Sequence, residues 1–294
     1  MSTLSGKEFA TTIREDVTER AAKLAVDGTS ARLAVVTATA DEAAAWYVRS
    51  IAKAAEKVGI TCDVVDLGAA ATGAELAEAL TALSADDAVH GVILQTPLPD
   101  GLSVADLASN IVARKDVDGS NPASLGRLAA GLTAFAPATA AAVVALLEHH
   151  EVELAGKHVV VVGRSTVVGK PVAHLLLDRD ATVTVCHSKT ADLAAVTTTG
   201  DVVVAAVGVP GLIKAEHVRE GATVVDVGTN ATADGGLVGD VDAAVAEKAA
   251  LTPVPGGVGP VTTALLLRNT VEAAEAATQR VAVPGRRRQP SWRR

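Results

Sequence analysis

Short apolar runs recur along the chain, separated by stretches whose apolar positions follow a helical spacing. LAVVT (33–37) predicts a strand, 42–58 a helix, CDVVDL (62–67) a strand, 73–84 a helix and VHGVILQ (89–95) a strand. That alternation implies a parallel sheet with crossover helices. A helix is predicted over about 137–150. A second alternating set follows: HVVVVG (158–163), a helix from 169, TVTVCH (182–187), VVVAAVG (202–208) and TVVDVG (223–228). A last helix, about 260–280, has no strand after it. Two α/β units joined near 130–150 predict two domains, and small ligands bind at domain interfaces and at the carboxyl ends of parallel strands.

Composition narrows the class. Hydrophobic residues make up 49% of the 294 and aromatics only 2%, so the core must be built from Ala, Val, Leu and Ile. The apolar runs are too short to span a bilayer. The start, MSTLSGKEFATTIRED, has no basic flank followed by an apolar core, so no signal peptide is expected. Cys62 and Cys186 lie in strand-like runs and read as buried thiols in a reducing cytoplasm. No metal-ligand spacing appears among the seven histidines, and no metal is expected. Net charge is −8; the five arginines after position 280 leave −13 on residues 1–280. An acidic body argues against nucleic acid as the main partner. The basic end, 287–294 within GRRRQPSWRR, reads as a mobile, solvated tail.

Candidate chemistry concentrates in three segments. TPVPGGVGPVTTALLLRNT (252–270) packs prolines and glycines, among them Pro255, Gly256 and Gly257, ahead of an apolar helix. Glycine lets backbone approach a ligand closely, proline stiffens the turn, and a helix N-terminus presents free N–H groups. HVVVVGRSTVVGKP is a buried strand, a turn and a helix start. Gly163 and Gly169 fit the dinucleotide fingerprint, with Ser165 where its second glycine would stand. CHSKT (186–190) ends the next strand without an acid. An acid there hydrogen-bonds the ribose of NAD, so Arg164, Ser188 and Lys189 point instead to the 2′-phosphate of NADP. His187 reads as a polar contact near the adenosine end, or else as a catalytic base. The third segment, KDVDGSNPASLGRL (115–128), offers Asp118.

Together, in this order, these segments resemble the methylenetetrahydrofolate dehydrogenase/cyclohydrolase (FolD) family from about Leu33 to Thr270. The resemblance implies an N-terminal α/β substrate domain and a C-terminal Rossmann-type NADP domain. It divides the chain into 1–136 plus 271–286 for the folate and 137–270 for the cofactor, with the last helix returning to the first domain and leaving a cleft between the two. It completes the turn motif as Gly163, Arg164, Ser165, Val168, Gly169 and Pro171. It places Val207 and Gly208 beside the nicotinamide, and Gly228 and Thr229 above the cofactor. It implies a homodimer and a small folate substrate, with no nucleic-acid or membrane partner.

In the other half the family carries Y-x-x-x-K, tyrosine and lysine one helical turn apart on one face. Here Tyr47 matches, and Ile51 stands for the lysine. Arg49 and Lys53 are about 200° round the helix from Ile51 and do not replace it. Gln95 matches the family glutamine that contacts that lysine and the substrate. Asp118 matches the aspartate on the pterin's amino-pyrimidine edge, to which a carboxylate is suited. Tyr47, Asp118 and Pro255–Gly257 would bind substrate. Other departures are Ser120, Asn121 and Ser124 in KDVDGSNPAS, PATAAA (137–142) and DEAA (41–44). A cofactor half close to pattern beside an eroded folate half implies a relaxed or redirected substrate site. The function expected is NADP-dependent oxidation of 5,10-methylenetetrahydrofolate, with cyclohydrolase activity lost or much reduced. The alternatives are a paralogue moving hydride to another C–N substrate, and a silent cofactor-binding protein. Turnover on methylenetetrahydrofolate separates the three.

Overall fold

The computed structural model describes residues 2–232 and 235–281. The first half opens with a helix absent from the apolar-run reading, α1 (Lys7–Val26), which buries Ala10, Ile13, Val17, Ala21 and Leu24 along one face. Then follow β1 (Arg32–Thr37), α2 (Glu42–Lys57), β2 (Thr61–Asp66), α3 (Gly73–Ala85) and β3 (Gly91–Leu94). These strands form a parallel sheet in the order β2-β1-β3. Side-chain caps start the helices where the sequence has short polar residues: the Asp41 carboxylate accepts from Ala44 N at 2.6 Å, and Thr72 and Glu75 form a reciprocal capping box. Two short helices, α4 (Val104–Ala108) and α5 (Pro122–Ala129), lead to α6 (Ala138–His149).

The second half is β4 (His158–Val162), α7 (Gly169–Leu177), β5 (Thr182–Cys186), the short α8 (Leu193–Thr197), β6 (Val202–Ala205) and β7 (Thr223–Asp226). A small hairpin follows, β8 (Asn230–Ala231) with β9 (Leu237–Val238), then β10 (Ala250–Leu251) and the long α9 (Val258–Val281). The second sheet is parallel, in the order β10-β7-β6-β4-β5. Its central strands read HVVVV and VVVA because both faces are covered; Val159–Val161 and Val203–Val204 are fully buried. The chain goes from β4 to β5 on one side and returns to β6 on the other. The carboxyl ends of β4 and β6 therefore flank the topological switch point, where open α/β sheets bind ligands.

Every strand and long helix predicted from the apolar pattern is present, within about two residues at most ends. The two-domain α/β class holds. The long helix α9 spans the boundary expected at 270/271. Along its length α9 serves both halves. It packs on α1 and on α6, the Asn269 amide donates to Val117 O at 2.8 Å, and Arg20 clasps Glu275 at 2.8 Å. The N-terminus ties the halves from the other direction: Leu4 N donates to Leu251 O at 3.0 Å, and Gly6 N to Gly256 O at 2.9 Å. The basic tail 287–294, and the part of the expected first domain from 282 to 286, lie outside the described residues.

Candidate active site

The Gly163–Gly169 turn follows β4, CHSKT follows β5 and the Pro253–Pro260 turn follows β10, each at a carboxyl end in the second sheet. In the first sheet, Gln95 follows β3, and its N–H donates to Val36 O at 2.8 Å beside the end of β1. The KDVDG segment runs along the edge of β3, paired as Val92 with Asp116. Gly119, at φ 63°, brings the chain so close to Ala136 and Pro137 that a Cβ would meet their backbone. That crossing sets Asp118 at the base of α6. Burial, then the nearby charge of Asp116, pushes the Asp118 carboxyl up to about 7, with the Ala138 N–H pulling the other way. Tyr47 lies within the field of that carboxyl. Burial first, and Asp118 second, push its phenol up to about 12 against a contact with the Thr263 hydroxyl.

A cavity of about 580 Å³ opens beside Tyr47. One wall is the face of α2 made by Ala43, Trp46, Tyr47 and Ser50. The opposite wall is Asp226–Thr229 and the hairpin, and the floor is the Pro253–Pro260 turn with Thr263. Of the expected site residues the cavity gathers Tyr47, Gly228, Thr229, Pro255, Gly256 and Gly257. Gln95, Asp118 and Ile51 do not line it. The Gln95 amide turns back on its own backbone, Nε2 donating to Thr96 O at 2.5 Å.

Ile51, at the position of the family lysine, does not line the cavity; it is 0% exposed, within the apolar cluster that includes Val48 and Ala55. The α2 residue that brings a polar side chain to the cavity one turn beyond Tyr47 is Ser50. Arg49 and Lys53 are exposed, as the helix geometry requires.

The other departures in this half also read differently in three dimensions. Ser120 and Asn121 donate their N–H groups to the buried Asp116 carboxylate, each at 2.9 Å. The Asn121 side chain caps α5 and donates to Ile111 O at 2.6 Å. Ser124 is 1% exposed, and Ala138, Ala140 and Ala142 of PATAAA are fully buried in α6. These positions build the frame behind Asp118 and do not line the cavity. Of the remaining departure, DEAA (41–44), Ala43 lines the cavity.

In the second half, Gly163, at φ 124°, ends β4 where a Cβ would strike Ala206 O. At Gly169 a Cβ would strike Gly163 O. Only glycine allows strand, turn and α7 to approach so closely. Ser165 stands over the helix start: its Oγ accepts from Val168 N at 3.1 Å and Gly169 N at 3.4 Å. Arg164 and Ser165 are exposed and Val168 is half-buried. Ser188 and Lys189 are exposed beyond β5, in a turn closed by His187 N donating to Thr190 Oγ1 at 2.9 Å. His187 Nδ1 accepts from Lys189 N at 3.1 Å, so the ring is engaged locally at the sheet edge and outside the cavity. This cradle of close-approach glycines, with a helix N-terminus and exposed cations beside it, fits a dinucleotide phosphate.

The sequence reading missed two further residues, Asp226 and Asp240, which are 4% and 0% exposed. Asp226 accepts from Gly228 N, Asp240 N and Val241 N at 2.9–3.0 Å. Burial pushes its carboxyl up, opposed by those N–H groups. Asp240 accepts from Val207 N, Gly208 N and Val209 N at 2.7–2.9 Å, and from the Asn230 amide at 2.9 Å. An acid closing the apolar run TVVD was the available signal for Asp226; nothing local marked Asp240. Trp46, next to Tyr47 and 60% exposed at the cavity, was also missed.

A two-domain α/β architecture with a dinucleotide cradle on one sheet and a cavity reaching the other defines a nicotinamide-dinucleotide enzyme. The model for the tetrahydrofolate dehydrogenase/cyclohydrolase catalytic domain matches residues 4–118, and that for the NAD(P)-binding domain of the same family matches 137–278. The chain belongs to this family, as the sequence resemblance implied. It is 65% identical to the bifunctional protein FolD 1 of Saccharopolyspora erythraea, over 92% of this chain and 94% of that one. With FolD 1 of Rhodococcus jostii it shares 62% identity, over 92% of each. Its fold superimposes on the bifunctional FolD enzyme of Campylobacter jejuni with a TM-score of 0.91 at 42% identity, covering 94% of this chain and 99% of that one. It matches the Trypanosoma brucei FolD, solved with NADP and an inhibitor, at 0.90 and 38% identity, covering 95% and 99%. NADP as the cofactor agrees with the NAD(P)-binding model and with that complex. Among the described residues no helix is long and apolar enough to cross a membrane.

Proposed function

We propose that the chain is an NADP-dependent methylenetetrahydrofolate dehydrogenase. The observation that carries this reading is the junction of the two halves at Tyr47. Its ring lines the cavity, its phenol feels Asp118, and the facing wall is the end of a cofactor-type sheet. Tyr47 would lie along the aromatic part of the substrate, and Asp118 would accept N–H donors from the amino-pyrimidine edge. Pro255–Gly257 would bring backbone close to the ligand. Arg164, Ser188 and Lys189 would hold the 2′-phosphate, with Gly163, Ser165, Val168 and Gly169 around the pyrophosphate. His187 would lie near the adenosine end, and Val207, Gly208, Gly228 and Thr229 near the nicotinamide. Bound NADP supplies the hydride acceptor. The protein aligns the two reacting carbons and surrounds the cationic product with a pocket that carries no lysine or arginine among its lining residues. NADPH absorbance with methylenetetrahydrofolate, read beside methenyl formation, tests the proposal; no turnover of that substrate would sink it.

The relatives named above are called bifunctional. For this chain we propose a weak hydrolytic step, on the ground that Ile51 has no proton site and lies in the core. The reading as a paralogue on another C–N substrate rested on the departures at 41–44, 120–124 and 137–142; Ser120, Asn121, Ser124, Ala138, Ala140 and Ala142 are buried away from the cavity, whereas Ala43 lines it. We also propose that the two sheets mark two domains and that the active form is a homodimer. Light scattering giving twice the 29.6 kDa of one chain tests the latter.

A further inference from the structure

Three consecutive backbone N–H groups, those of Val207, Gly208 and Val209, converge on one carboxylate, that of Asp240. Such a run of N–H groups forms a concave anion-binding nest. Here the anion is supplied from within the chain, so the nest is closed to a cofactor phosphate, which is left with the turn after β4. The Asp240 carboxylate is fully buried. It also accepts from the Asn230 amide, which joins the hairpin to the same point. Its own backbone is fixed by Asp226, whose Oδ1 accepts from both Gly228 N and Asp240 N at 2.9 Å. Gly228 and Gly239 are the counterparts of this packing, because a Cβ at either would run into Asp240 or Asp226.

We propose that Asp240 is a positioning residue for the redox site. It sets the backbone of 207–209 and, through Asp226, that of Gly228, on the two sides where the nicotinamide is held. The inference rests on the proposed cofactor reading of 207–208 and 228–229, and goes beyond it in naming what holds those loops. Gly208 sits at φ 68°, which a side chain opposes although the space beside it is open. The nest thus depends both on the carboxylate and on that glycine.

The test compares the full-length wild type with Asp240→Asn, which keeps the shape but turns an N–H donor toward at least one nest N–H. NADP affinity is measured by calorimetry. Turnover is measured with methylenetetrahydrofolate deuterated at the carbon that loses hydride. The expected result is NADP affinity at least tenfold weaker, KM for the folate within about twofold, and a larger primary isotope effect on kcat/KM. A residue of merely structural importance would lower the yield of active enzyme and leave the isotope effect alone. Gly208→Ala distorts the same loop without touching the carboxylate, so it should show the same pattern in case Asp240→Asn does not fold. If both folded variants match the wild type in affinity and isotope effect, the inference is overturned. A wild type that binds no NADP overturns it together with the proposed function. If the wild type binds NADP but does not turn over the folate, only the substrate reading fails, and the affinity ratio still decides.

Discussion

Tyr47 and Ile51 stand one turn apart on α2, yet they face different environments: Tyr47 looks into the cavity and Ile51 is sealed in the core. The helix face that meets the cavity continues from Tyr47 to Ser50. Any proton transfer at the α2 wall would have to come from the phenol, which is held up to about 12, or from a serine hydroxyl.

The hydrolytic step is accordingly expected to be slow. A positioned acid/base group contributes about 10²–10⁴-fold to such a step. Methenyltetrahydrofolate should accumulate when the wild type oxidises the methylene compound, decaying near its uncatalysed rate. Ile51→Lys should lower the melting temperature, because it buries an amine among apolar side chains away from the cavity. Rapid enzyme-dependent loss of the methenyl absorbance by the wild type would refute the argument.

Asp118 makes the free protein more stable in weak acid. Its folded value, about 7, lies above the unfolded value near 3.9, so the folded chain holds the extra proton between those limits. This contribution is fully present below about pH 4 and is lost as pH rises through about 7. Asp116 and Asp226 are shifted in the same direction. Melting temperature should fall across that window in the wild type and fall less in Asp118→Asn. A ligand that donates N–H groups to the carboxylate should release protons on binding near pH 7, seen as a buffer-dependent calorimetric enthalpy. Identical pH profiles for the two proteins would contradict the assignment.

NADP should bind more tightly than NAD. No acid follows β5, and Arg164, Ser188 and Lys189 are exposed around the cradle. A charge-assisted phosphate contact changes affinity by about tenfold or more. Arg164→Ala should weaken NADP by that order and leave NAD almost unchanged. Equal loss for both cofactors would place Arg164 elsewhere.

Trp46 should report on the substrate site. It is 60% exposed at the cavity beside Tyr47, and an aromatic stack is worth about 0.5–1.5 kcal/mol beyond its buried area. Trp46→Ala should raise the folate KM about two- to tenfold with little change in the NADP KM. With Trp292→Phe removing the second tryptophan of the chain, folate binding should quench the remaining emission. No quenching at saturating substrate would exclude the stack.

The alternation of apolar runs was enough to predict both parallel sheets, because a strand covered on two faces must be almost wholly apolar, as HVVVV and VVVA are. The glycines of the β4–α7 turn were legible for the same local reason: backbone contacts there leave no room for a Cβ. Local pattern could not say which way a side chain faces when its neighbours come from distant segments. Ile51 lies in the core because segments far apart in sequence pack over it, and Ser120 and Asn121 turn their N–H groups inward onto the buried Asp116. Asp226 and Asp240 are fourteen residues apart and surrounded by unremarkable sequence. Only the folded sheet aligns their carboxylates with the free N–H groups of three separate loops. Secondary structure follows from spacing along the chain, whereas a site depends on long-range closure that spacing does not encode.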